Sequence, residues 1–585
     1  MNARHASDTG ALQAGFVAGI VGALERAGVR HAVLSPGYRN APLALALRRS
    51  PTIRSEVVVD ERTAAFVALG AARETSAPVV LCCTSGSAPA HWLPAVVEAR
   101  RARVPLVLLT ADRPYELSRV GAPQAVEQRG LFSAHVVYED ELRVEPELDQ
   151  DVPRLAEPWA VRLAVALAHA ADGPVHLDVP LRKPLFAPAP EDVARHPVRV
   201  VPARPRLDPA AVALVRDAAA RARRPVIVHG PEVGPRAAAQ GDAVTALARA
   251  LGWPLVSDVL ASSRGRGDVG PTDLLLGDAA ARRLLAPDYA LVVGGAPTSR
   301  HVAAWLADSR ATVHTVAPSL EWLDPSLRAG ALLVGPVADL VAAVGAAPAD
   351  FAGPLDARWG PLWERVVAEA VAAAEAARAD VAAGSWDGGV VARALANWPG
   401  ASVLLGNSLP VRDADALVAG GGGRRLVGNR GANGIDGTVA TAWGAAWATG
   451  EPWLVVLGDV SARHDLGSLL ALPAWLPLCV VVVDNGGGRI FDALPVRGAD
   501  EFDDVFLTPS ALDLRAVAAA AGLAAARTTD TAGLDAALAG AWEAKRATVV
   551  EAVVDPAVCG AVRARVGAAV KDVARGALGV DGGAP

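Results

Sequence analysis

Lysine is nearly missing from this chain of 585 residues: only Lys183, Lys545 and Lys571 interrupt an otherwise all-arginine set of 56 basic residues. Schiff-base chemistry therefore has few candidates, and none of the three lies in a loop suited to it. Cysteine is scarce as well. Cys82, Cys83 and Cys479 fall in apolar runs that read as buried strands, Cys559 shows no role, and no pair has metal-ligand spacing. No uninterrupted apolar run approaches the roughly 18 residues of a membrane span. The opening MNARHASDTG lacks the charged-then-apolar pattern of a signal peptide, so the expected compartment is the cytoplasm. Positive charge is not in excess either. With 62 acidic residues and a net charge of −6, there is no electrostatic footprint for nucleic acid.

What the chain does contain is 52% hydrophobic and 20% charged residues, the balance of a packed globular protein. Its length exceeds one hydrophobic core, so two to four domains are expected. Short β-branched runs alternate with Ala/Leu-rich stretches of helical period. His31–Leu34, Glu56–Val59, Val79–Cys83, Val104–Thr110 and Val175–Val179 read as strands, with Arg62–Glu74 and Ala88–Arg101 as helices between them. Pro225–His229, Leu255–Val259, Tyr289–Val293 and Thr312–Val316 repeat the pattern, followed by Ser402–Leu405, Leu426–Val427, Trp453–Leu457, Leu478–Val483 and Thr548–Val553. The fold class is α/β, with three domains that each carry a mostly parallel sheet flanked by helices. The expected divisions are 1–195, 196–350, a linker over 351–384, 385–565, and a flexible tail over 566–585.

In open parallel sheets, ligands gather beyond the carboxyl ends of strands. Trp453–Leu457 runs into Gly458-Asp459-Val460-Ser461, and Leu478–Val483 into Asp484-Asn485-Gly486-Gly487-Gly488. One right-handed crossover between them brings Asp459 and Asn485 side by side. A carboxylate, an amide oxygen and a backbone carbonyl at Gly487 are hard oxygen donors suited to Mg²⁺. The glycines, Gly488 included, let backbone N–H groups approach a diphosphate. Each dipeptide alone is an ordinary turn; their occurrence at successive strand ends is what favours a site.

Gly-Asp followed by a distant Asn with glycines after it is similar to the motif of thiamine-diphosphate (ThDP) enzymes. The resemblance extends over essentially the whole chain. It implies three α/β domains, two of which share the cofactor, with Mg²⁺ or Mn²⁺ as the metal. It also implies one activating carboxyl group in a dry pocket of the first domain, which hydrogen-bonds the cofactor's aminopyrimidine. Glu61, after the run Val57-Val58-Val59-Asp60, matches that place. On its own, Asp60-Glu61 reads as a helix cap and a first-turn acid.

Longer strings narrow the resemblance. Ser35-Pro36-Gly37-Tyr38-Arg39-Asn40, Leu109-Thr110-Ala111-Asp112-Arg113-Pro114, Gly406-Asn407-Ser408-Leu409-Pro410-Val411-Arg412, Asn429-Arg430-Gly431-Ala432-Asn433-Gly434-Ile435-Asp436-Gly437 and Arg489-Ile490-Phe491 are the carriers. Together they resemble the 2-succinyl-5-enolpyruvyl-6-hydroxy-3-cyclohexene-1-carboxylate (SEPHCHC) synthase family of menaquinone biosynthesis. That family decarboxylates 2-oxoglutarate and adds the product to isochorismate. The resemblance implies Gly86, Asn407, Ile435 and Ile490 at the cofactor, beside Gly458 to Ser461. It further implies Arg39, Arg113, Gln124, Arg300, Ser408, Arg412, Arg430, Ile490 and Phe491 at the substrates, whose carboxylates suit arginine forks. Active sites at subunit interfaces of a homodimer or homotetramer follow from the same resemblance.

The chain departs from the family at four places. Tyr38 stands where a small serine is usual and narrows the pocket. Pro123 replaces an asparagine, leaving Gln124 as the amide. Arg300-His301 replaces a Lys-Arg pair, which makes the second charge pH-dependent. Asp484 adds a negative charge near the metal. An acetolactate-synthase-like carboligase is the alternative within the class, but the middle domain shows no dinucleotide fingerprint for its flavin. A nicotinamide oxidoreductase lacks the same fingerprint, and intact Glu61, Asp459 and Asn485 argue against a non-catalytic relative.

Overall fold

The computed structural model describes residues 3–144, 152–188, 198, 200, 201, 203, 205–232, 237–266, 268, 272–379, 387–418, 424–558 and 560–577. Three sheets follow one another along the chain, and every strand pairing in them is parallel. The first contains β1 (His31–Leu34), β2 (Arg54–Val57), β3 (Val79–Cys83), β4 (Leu106–Asp112), β5 (Tyr138–Glu141) and β6 (Val175–Pro180), in the order β2-β1-β3-β4-β6-β5. The second contains β7 (Pro225–His229), β8 (Leu255–Ser257), β9 (Tyr289–Val293), β10 (Thr312–Ala317) and β11 (Ala329–Val334), ordered β11-β10-β9-β7-β8. The third contains β12 (Ser402–Leu405), β13 (Arg425–Val427), β14 (Trp453–Gly458), β15 (Leu478–Asp484), β16 (Ala524–Thr528) and β17 (Thr548–Val553), ordered β13-β12-β14-β15-β17-β16.

Central strands such as β3, β7, β9 and β12 are buried along their whole length, because helices cover both faces of each sheet. Cys82, Cys83 and Cys479 belong to these interiors as free thiols, and burial pushes Cys82 and Cys479 up to about 12; Cys559 lies outside the described residues. The first and third sheets share one hydrophobic core, in which the helix Glu61–Thr75 crosses the helix Thr438–Thr449. Glycine makes the crossing close. A Cβ on Gly70 would fall 1.9 Å from the Thr441 carbonyl oxygen, and one on Gly444 would fall 1.9 Å from that of Val67.

Two expectations about connections change. The stretch 351–384, read as a linker, contains the helix Trp359–Ala379, whose Trp359, Trp363 and Val366 enter the core of the second sheet; 380–384 lie outside the described residues. The expected flexible tail over 566–585 is a helix, Ala561–Ala577, as far as it is described. Its Val562, Val566 and Val570 fill the same core at helical spacing. Among the described residues, no helix is long and apolar enough to cross a membrane.

Candidate active site

β14 and β15 lie side by side with Gly458 opposite Val483, so the two polar strand ends meet as the spacing predicts. Asp459 opens the helix Asp459–His464. Its Oδ1 accepts a hydrogen bond from Val460 N (2.8 Å) and its Oδ2 one from Gly487 N (2.6 Å). Burial pushes the Asp459 carboxyl up to about 6, and the Asp484 carboxyl set against it pushes the same way. Asp484 thus lies beside Asp459, although it does not line the cavity that Asp459 lines. Two carboxyls sharing a half-dry corner fit a divalent cation, whose charge favours both ionised forms. Asn485 is buried next to them, and the Gly487 carbonyl accepts from Arg489 N (2.8 Å), leaving its second lone pair for a ligand. Among the described residues no three His, Cys, Asp or Glu side chains gather as a metal centre, so a cation here would rest on mixed oxygens.

The glycines of this corner do different jobs. A Cβ on Gly458 would meet nothing within 4 Å, and its backbone is extended, so neither packing nor conformation requires glycine there. The space it leaves is part of a cavity of about 910 Å³. Gly487 has φ +119°, and a Cβ would fall 2.2 Å from the Leu507 carbonyl oxygen; at Gly488 it would fall 2.4 Å from that of Phe506. Close approach to the 503–507 segment, rather than to a phosphate, is what these two glycines permit.

The cavity also collects three of the expected substrate residues of the third domain and one from the second: Ser408, Arg412, Ile490 and Arg300 line it. Ser408 holds φ +84°, ψ −134°, a region that only glycine enters without strain. Its carbonyl accepts from Arg412 Nη1 at 2.6 Å. Burial lowers the Arg412 guanidinium, and Arg430 and Arg563 nearby lower it further; burial lowers Arg430 too. Like charges crowded in a partly dry site favour an anionic ligand. Arg430 and Asn407 do not line the cavity: Asn407 Nδ2 donates to Asn429 O and Gly434 O (2.6 Å each), and Arg430 Nη1 donates to Asn407 Oδ1 (3.3 Å). Asn407 therefore clasps the Asn429–Gly437 loop that carries Ile435, which also stays off the cavity. Phe491 does not line the cavity. Its ring packs edge-on against Phe506 at 5.6 Å instead of forming the wall, which Ile490 and Leu494 supply.

The first-domain candidates form a second group that does not line this cavity. Glu61 is half-buried at the first turn of the helix that Asp60 caps through Arg62 N. Its charge helps to raise the buried Cys83 thiol, which places it at the β3 end. Gly86 (φ +88°) packs on Gln124 and donates its N–H to Gln128 Oε1 at 3.2 Å. Arg113 is held by the Pro123 carbonyl (Nε 3.1 Å, Nη2 2.9 Å) and reaches Gln124 Oε1 at 3.4 Å, so the proline still serves through its backbone. Burial lowers the Arg39 guanidinium and Arg113 lowers it further, while Arg39 Nε has no hydrogen-bond partner among the described residues. Tyr38 is 65% exposed beside them. The sequence alone missed Asp273, Ser299, Arg563 and Lys571 as cavity residues. For the last two, the Val562/Val566/Val570 spacing was the available signal.

Comparison with known proteins matches this layout. "Thiamine pyrophosphate enzyme, N-terminal TPP binding domain" matches residues 16–131, "Middle domain of thiamine pyrophosphate" 214–398, and "Thiamine pyrophosphate enzyme, C-terminal TPP binding domain" 418–552. The 2-succinyl-5-enolpyruvyl-6-hydroxy-3-cyclohexene-1-carboxylate synthase of Geobacillus kaustophilus is 39% identical over 85% of this chain and 87% of its own. That of Sorangium cellulosum is 39% identical over 92% of each. A solved structure from Mycobacterium smegmatis, described as a thiamin-diphosphate-dependent enzyme, superimposes with a TM-score of 0.68 at 19% identity; it covers 92% of this chain and 98% of its own.

Proposed function

Since the chain belongs to the SEPHCHC synthase family of ThDP-dependent enzymes, we propose that it decarboxylates 2-oxoglutarate and joins the remaining four-carbon unit to isochorismate, giving SEPHCHC and CO₂. One observation carries the reading: the Asp459–Asn485 strand ends and the Ser408–Arg412 turn open into one cavity. The Gly458 gap and the half-buried Asp459–Asp484 pair fit a diphosphate with a divalent cation, Mg²⁺ by the hardness of the donors. Asp459, Asn485 and the Gly487 carbonyl would hold the cation. When bound, ThDP supplies the electron sink for loss of CO₂ from a 2-oxo acid.

The chain's own residues do the rest. Glu61 would offer its carboxyl group as the hydrogen-bond partner of the cofactor's aminopyrimidine. Arg412 and Arg300 take substrate carboxylates from one side, and Arg39, Arg113 and Gln124 from the other. Ile490 and Leu494 keep water from the reacting carbon. Because the Glu61 group lies apart from the cavity within one chain, the complete site requires the first domain of a second copy, and the assembly is at least a homodimer. The test is CO₂ release from 2-oxoglutarate and from pyruvate, with ThDP and Mg²⁺ added or withheld. The reading expects 2-oxoglutarate to be preferred at least tenfold in kcat/KM, with activity lost on chelation; preference for pyruvate overturns it.

A further inference from the structure

The C-terminal helix Ala561–Ala577 has two working faces. Val562, Val566 and Val570 anchor it in the core of the second sheet, while Arg563, Gly567 and Lys571 face the cavity. From that anchored base, Arg563 reaches two other elements. Its Nη1 donates to the Arg412 carbonyl at 3.0 Å and to Asp413 Oδ1 at 3.3 Å. Its Nη2 donates to Asp273 Oδ2 at 2.8 Å. Asp273 is itself built in: its Oδ1 accepts from Ser299 Oγ (2.6 Å) and pairs with His301 Nδ1 (3.1 Å) at the start of the helix Arg300–Asp308. Burial pushes Asp273 up, but His301 and Arg563 together hold it below the usual carboxylate range.

We propose that Arg563 is a positioning residue: through this fork it fixes the strained Ser408 turn and the Arg412 guanidinium against the Arg300–His301 helix start, and so sets the affinity for the dicarboxylate substrate. Three features support this assignment. The fork is bidentate across two domains, which gives direction as well as attraction. Ser408 sits in a backbone region that persists only when its surroundings over-determine it, and Arg563 grips the chain four residues on. Finally, the helix that delivers Arg563 is locked by valines whose packing does not depend on the cavity. The proposal rests on reading Ser408 and Arg412 as the carboxylate-binding turn.

The experiment compares wild type, R563Q, R563K and D273N as full-length holoenzymes with ThDP and Mg²⁺. R563Q is expected to raise KM for 2-oxoglutarate roughly tenfold with kcat within about twofold, and to leave ThDP affinity unchanged. R563K, which keeps the charge but not the fork, is expected to fall between. D273N opens the fork from its other end without loss of volume and is expected to give the same KM rise, so the outcome survives a misfolded R563Q. Hydrogen–deuterium exchange is expected to quicken over 406–417 in both R563Q and D273N. Unchanged KM together with unchanged exchange in that segment overturns the proposal. A wild-type protein inactive on 2-oxoglutarate overturns the substrate reading instead, and faster exchange in R563Q then still upholds the clasp.

Discussion

Asp178 shows how far a single buried residue shapes the first domain. Its Oδ1 accepts from Thr110 Oγ1 (2.6 Å) and Gln128 Nε2 (2.8 Å), and Gln128 in turn holds the Gly86 N–H. Burial pushes the Asp178 carboxyl up to about 7, with repulsion from Asp112 adding to it. In the unfolded chain it titrates near 3.9, so between about pH 4 and 7 the folded protein binds the extra proton. Stability contributed by this group is therefore full below pH 4 and is lost as pH rises through 7. D178N keeps an oxygen for both donors and carries no charge. Thermal melts across pH are expected to show the variant equal to wild type near pH 4 and more stable at pH 8; parallel curves contradict the assignment.

Elements differ in how well the sequence announces them, and the reason is where they sit. β1, β3, β7, β9, β12 and β17 match the expected spans residue for residue, because strands covered on both faces read as unbroken apolar runs. The strands that went unread, β5 (Tyr138–Glu141), β11 (Ala329–Val334) and β16 (Ala524–Thr528), are all sheet edges. Their half-exposed residues, YEDE in β5 and AAART in β16, carry no such run. The site follows the same logic. The meeting of Asp459 and Asn485 was legible because adjacent strands determine it, whereas the packing of Phe491 on Phe506 and the reach of Arg563, from a helix whose part beyond 566 was expected to be a tail, depend on contacts between separate elements. Helix crossing is the clearest case of such packing. Replacing Gly70 by Ala drives a methyl group into the Thr441 carbonyl and is expected to cost about 3 kcal/mol, read from the urea midpoint. A cost below about 0.5 kcal/mol contradicts the close approach.

At the scale of the whole molecule, the labour is divided among the three sheets in the proposed reading. The first offers Glu61, Arg39 and Arg113, the third offers Asp459 and Asn485, and the second closes the cavity with Arg300 and the base of the Arg563 clasp. In one chain the first group does not line the cavity it would serve. Two inactive variants should therefore rescue each other: E61Q and D459N, mixed after dissociation, are expected to recover up to about a quarter of wild-type activity, since half of random dimers hold one intact site. No recovery contradicts a site shared between copies. The reaction itself is tested most directly by incubating the protein with ThDP, Mg²⁺, isochorismate and uniformly ¹³C-labelled 2-oxoglutarate, then following products by mass spectrometry. The account predicts one labelled CO₂ for each adduct carrying four labelled carbons, both absent without ThDP and with E61Q. Labelled CO₂ without an isochorismate adduct, or neither product, would contradict it.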